Sequence, residues 1–68
     1  MNYTFTTIVQ QEDDWFVAKC LENDVASQGK TLDEAMDNLK EAIELYYDDS
    51  ETLPVMKKTY ITTLQVAV

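Results

Sequence analysis

Sixty-eight residues, thirteen acidic against five basic side chains for a formal net charge of -8, one cysteine and no histidine bound what this chain can be. At that length a single domain, residues 1–68, buries only about 60% of the surface its unfolded chain exposes, so association with a partner is expected. The acid excess repels phosphate, and with Lys57 and Lys58 as the one adjacent basic pair it argues against direct nucleic-acid binding, while the lone cysteine excludes an internal disulfide framework.

Residues 3–10 (YTFTTIVQ) are rich in aromatic, threonine and β-branched side chains and predict a first strand, with Tyr3, Phe5 and Val9 on one face and Ile8 on the other. Residues 11–14 read as a polar, acidic turn, and residues 15–21 (WFVAKCL) as a second strand completing a hairpin. Alternation with period two sends Phe16, Ala18 and Cys20 one way and Trp15, Val17, Lys19 and Leu21 the other. A short polar link, residues 22–24, leads to a third strand at residues 25–28, and Gly29 permits a sharp turn out of it.

Residues 31–47 predict one amphipathic helix. Leu32, Ala35, Met36, Leu39, Ala42, Ile43 and Tyr46 recur at steps of three and four, and acidic residues and Lys40 take the other side. Thr31 and Glu34 have the spacing of a capping box, in which each side chain serves the other's backbone amide. Tyr46 continues the stripe into the core, and Tyr47 at its margin is a candidate interface residue. Residues 48–54 form an acidic loop closed by Pro54. Asp48 and Asp49 oppose the helix dipole, which predicts fraying there. Residues 60–68 (YITTLQVAV) resume strand character, with Tyr60, Thr62, Leu64, Val66 and Val68 on one side and Ile61 on the other.

The order β-β-β-α-β predicts an α+β fold. It is a three-stranded antiparallel meander with one helix on one face, and the C-terminal strand returns to the sheet beside the first. One helix covers one face only. The other exposes Ile8, Trp15, Val17, Leu21 and Ile61, a patch larger than a monomer leaves open. Ile8, Val17, Leu21, Tyr47 and Ile61 are therefore the candidate self-association residues of a homo-oligomer, a dimer or higher. The C-terminal strand, as a sheet edge, also offers itself to a second copy.

Without histidine the chain lacks the commonest general base near neutral pH and any Ser-His or Cys-His nucleophile pair. Cys20 sits mid-strand and reads as packing, and Ser27 and Ser50 have no base nearby. The carboxylate groups Glu12, Asp13, Asp14 and Asp48, Asp49, Glu51 lack calcium-loop spacing, and one glycine cannot make a phosphate-cradling loop. The chain therefore reads as no enzyme, with no catalytic residue, metal or cofactor. With no long apolar run it is expected in the cytoplasm, away from membranes.

The run Trp15-Phe16-Val17-Ala18-Lys19-Cys20, then Glu22, then Ser27-Gln28-Gly29-Lys30-Thr31-Leu32, then Glu34-Ala35, Asn38-Leu39, Glu41-Ala42-Ile43 and Leu45-Tyr46, resembles the HicB-like antitoxin family. Val66-Ala67-Val68 is similar to that family's last strand. Two departures stand out. Leu21 occupies a position where the family commonly has proline, with Glu22-Asn23-Asp24 in place of a Leu-Pro-Gly turn. The DNA-binding segment that many members carry after this domain is not expected here, so neither is direct operator binding.

The resemblance implies a truncated ribonuclease-H-like sheet without catalytic carboxylates. It also implies a role in a toxin-antitoxin pair, masking a small, basic HicA-type mRNA-cleaving toxin, which complementary charge would suit. Glu12, Asp13, Asp14, Trp15, Glu22 and Asp24, at hairpin and strand ends, are the candidate partner contacts. The alternative is a stand-alone oligomeric regulatory module that binds a ligand or protein through the open sheet face. A degenerate metal-dependent nuclease is the remaining class.

Overall fold

The computed structural model describes residues 2–48 and 53–68. Strands β1 (Thr7–Glu12), β2 (Trp15–Cys20) and β3 (Ala26–Gly29) form one antiparallel sheet in the order β1-β2-β3, followed by helix α1 (Leu32–Asp48). The predicted α+β meander with a helix is thus present. In the hairpin, Val9 opposes Ala18 and Thr7 opposes Cys20, so these residues share the face that α1 approaches. Asp13 turns the hairpin at φ 54 and Asp24 the second connection at φ 62, left-handed values that aspartate tolerates better than most side chains.

β1 begins later than the predicted residue 3, and the reason is local. The Leu21 amide still donates to the Thr6 carbonyl at 2.9 Å, but the Thr6 amide donates to the Glu22 carboxylate at 2.7 Å. A side chain has replaced the backbone acceptor, and the ladder stops there. Phe5 nevertheless packs against the core from outside the sheet.

At the start of α1 the Thr31 hydroxyl accepts from the Glu34 amide at 3.0 Å, as the capping spacing predicts. The Glu34 carboxylate accepts from the amide of Lys30 at 3.2 Å and not from Thr31, a shift of one residue. Gly29 is a correction of a different kind. It ends β3 opposite Phe16 with no positive φ, so conformational freedom is not what it supplies. A Cβ there would stand 2.6 Å from the Ala35 nitrogen and 2.8 Å from the Glu34 carbonyl carbon. Its role is to let the first turn of α1 press onto the strand.

Ala18, Cys20, Ala35, Leu39 and Ile43 form the buried core, with Phe5, Val9, Phe16, Val25, Met36 and Tyr47 packed around it. Small side chains on β2 and α1 bring the two backbones close. The helix lies over β3 and β2 and leaves the β1 side of the inner face less covered.

The two tyrosines at the end of α1 exchange their predicted roles. Tyr47 packs on the core: its ring stacks on Phe5 at 5.9 Å between centroids, and its hydroxyl accepts from Asn23 Nδ2 at 3.1 Å. Tyr46 is 55% exposed, and its ring stands at 88° to that of Tyr47. Leu39, Ile43 and Tyr47 are spaced by four, and that ridge faces Phe5 while Tyr46 is turned about 100° away. Tyr47 is therefore half-buried against the core, with part of its side chain still at the surface.

The predicted strand at residues 60–68 is not part of the sheet. Among the described residues, 53–68 carry no helix or strand, and every residue from 55 to 68 is exposed. Alternating apolar residues favour a strand, but a strand exists only against a partner backbone, and the outer edge of β1 is unoccupied. Ile61, at 65% exposure, therefore lies on this segment and not on the open sheet face. The radius of gyration of 13.8 Å exceeds the roughly 11 Å of a compact chain of this length, as a projecting segment requires. Asp49 and most of the predicted 48–54 loop fall outside the described residues.

Candidate partner-binding surface

The β1–β2 turn sets three carboxylates side by side at one end of the sheet. Glu12, Asp13 and Asp14 are exposed, and Gln11 Nε2 donates to the Asp13 carbonyl at 3.3 Å, bracing the turn. Trp15, directly across from Glu12 in the register, is 41% exposed. The Lys30 ammonium lies 5.8 Å from the centre of its ring, a cation–π contact that ties the start of β2 to the entry of α1. Asp33 and Glu34 occupy the first turn of α1, where the helix dipole favours negative charge.

Glu22 and Asp24 lie at the other end of β2, roughly 17 Å of strand away. The six predicted contacts thus do not form one surface. Asp24 pairs with Lys19 at 3.5 Å, both side chains well exposed, a pair that contributes little. Glu22 also has a structural role, because its carboxylate Oε1 accepts from the Thr6 amide and from the Cys20 thiol at 3.5 Å. Partial burial pushes its pKa up, and the hydrogen bonds from Thr6 and Cys20 reverse this and hold it below the ordinary carboxylate value. Burial pushes the Cys20 thiol up, so it stays protonated and unreactive.

Opposite α1, the open sheet face carries Ile8 and Val17, with Trp15 and Ala26, interleaved with Gln10, Lys19 and Gln28. Ile8 is 39% exposed and Val17 half-buried, while Leu21 lies half-buried just beyond β2. This face is more mixed than its predicted apolar members imply.

A groove of about 550 Å³ that the sequence does not disclose runs between the N-terminal segment and α1. Tyr3, Phe5 and Thr7 line one wall, and Met36, Lys40 and Ile43 the other, with the Thr7 hydroxyl 3.8 Å from the Met36 sulfur. It exists because α1 sits over β3 and β2. The only signal in the sequence is the pair of aromatics ahead of β1, which period-two alternation assigns to a strand.

Among the described residues no three histidine, cysteine, aspartate or glutamate side chains are grouped to hold a metal ion. No helix among them is long and apolar enough to cross a membrane. What the surface offers is charge, an exposed indole ring and apolar side chains. Neither curated proteins nor solved structures give a match to this chain. Residues 5–65 match the family model described as a family of unknown function, DUF7387, and the chain belongs to that family.

Proposed function

We propose that this chain is a protein-binding module, a HicB-like antitoxin that masks a small, basic, mRNA-cleaving toxin of the HicA type. The observation that carries this reading is the end of the sheet where Glu12, Asp13 and Asp14 flank the half-exposed Trp15. Clustered carboxylates attract a cationic active site built to hold RNA, and an exposed indole beside them supplies the apolar anchor that interface cores favour. The β-β-β-α order is compatible with kinship to a truncated ribonuclease-H sheet. The resemblance of residues 15–46 to HicB-like antitoxins supports the same reading.

The test is co-purification from native cells followed by charge reversal. Recovery of a small basic ribonuclease, whose activity returns when it is separated from this chain, is the expected result. Changing Glu12, Asp13 and Asp14 together to lysine weakens that complex by 100-fold or more, by analogy with desolvated charge pairs. Unchanged binding by the triple variant overturns the surface, and recovery of this chain alone overturns the antitoxin reading.

The alternative, a stand-alone oligomeric module, is favoured by the exposed apolar segment after α1. It predicts that the chain is recovered only with itself.

A further inference from the structure

We propose that residues 60–68 of one copy add as a strand to the free edge of β1 in a second copy and cover the groove beside it, in a reciprocal two-fold exchange. This goes beyond the proposed function, and it holds whether or not a toxin is bound.

The segment has a strand's pattern without a strand's partner. Tyr60, Leu64 and Val66 are 76%, 86% and 63% exposed, and among the described residues the Thr59 hydroxyl donates to the Lys57 carbonyl at 3.2 Å and Lys58 lies over Tyr60, both contacts local. So much contiguous apolar surface is not left in water by a stable monomer. β1 has the complementary deficiency, since β2 pairs with one of its edges and, among the described residues, no strand with the other. Nine extended residues span about 30 Å and the six of β1 about 20 Å, so the segment covers the whole edge and reaches on toward Phe5 and Tyr3. The chain's own segment forms no strand pairing with that edge among the described residues.

Charge selects the same occupant. All thirteen acidic residues and three of the five lysines precede Leu53, whereas the segment from Leu53 onward holds Lys57 and Lys58 and no acid. Two copies of the acidic body repel each other face to face. An uncharged, apolar strand preceded by Lys57 and Lys58 and laid along an acidic body lessens that repulsion and places its alternate side chains over Met36 and Ile43. β3 also has a free edge, but it is four residues long and the groove lies beside β1. A reciprocal exchange about a two-fold axis leaves no β1 edge open and so closes at two.

Light scattering of the intact chain is the first test, and the expected mass is twice 7.8 kDa. Leu64→Asp with Val66→Asp, both on the exposed segment, is expected to give a monomer with the helical circular-dichroism signal retained. Gln28→Glu, which puts a charge on the open sheet face, is expected to stay dimeric. A monomeric wild type means that the segment closes on its own chain or on nothing, and overturns the proposal, as does a double variant that remains dimeric. Isotope-filtered NMR on a co-refolded mixture of labelled and unlabelled chains then fixes the contact. Cross-peaks from Leu64 and Val66 of one copy to Val9 or Met36 of the other support the exchange, and cross-peaks between the two segments alone overturn it.

Discussion

Gly29 and the backbone nitrogen of Ala35 approach so closely that a methyl group on the glycine would sit 2.6 Å from that nitrogen. The neighbours it would meet are the helix backbone and the first carbon of Glu34, none of which rotates out of the way. Gly29→Ala therefore has to lift the first turn of α1 from β3. The expected cost is about 1–3 kcal/mol, the range of overpacked sites. Urea unfolding checks it: the midpoint falls while the m-value stays constant.

The end of α1 gives a paired test. Tyr47 stacks on Phe5 and accepts from Asn23, so Tyr47→Ala is expected to cost about 2 kcal/mol, less than a fully buried aromatic because Tyr47 is only half-buried. Tyr46→Ala, at an exposed position, is expected to change stability by less than about 0.5 kcal/mol. Melting curves of the two variants decide between them. The reverse ranking would return Tyr46 to the core and Tyr47 to the margin.

Glu22 and Cys20 each tie stability to pH, in opposite directions. The Glu22 carboxyl has a folded-state pKa below its ordinary 4.5, so the unfolded chain binds its proton more readily. Its contribution is present above 4.5 and is lost as pH falls through the lower folded value. Cys20 runs the other way: its pKa is raised from 9.0, so its contribution is present below 9.0 and is lost as pH rises through the folded value. Unfolding free energy measured against pH is expected to lose part of its acid limb in Glu22→Gln and part of its alkaline limb in Cys20→Ala. In the native wild type, the Cys20 thiol is expected to resist alkylation until the protein unfolds.

The sequence by itself determined the elements whose periodicity is strong. Ala35, Leu39 and Ile43 lie where steps of four place them, and Phe16, Ala18 and Cys20 share the face that alternation assigns. Thr31 caps the helix as its spacing requires. These are local regularities, set by 3.6 residues per turn or by two per pleat wherever the helix or strand forms.

Only the tertiary structure decided the rest, because each remaining point depends on which backbone lies alongside. Glu22 reads as a free carboxylate until Thr6 is brought beside it, sixteen residues away in sequence. Tyr47 outranks Tyr46 because Phe5 lies on one side of α1 and not the other. The groove between Tyr3 and Met36 follows from the position of α1 over β3 and β2. Residues 60–68 have the alternation of a strand, yet a strand is a relation between two chain segments, and the fold leaves this one without its second member.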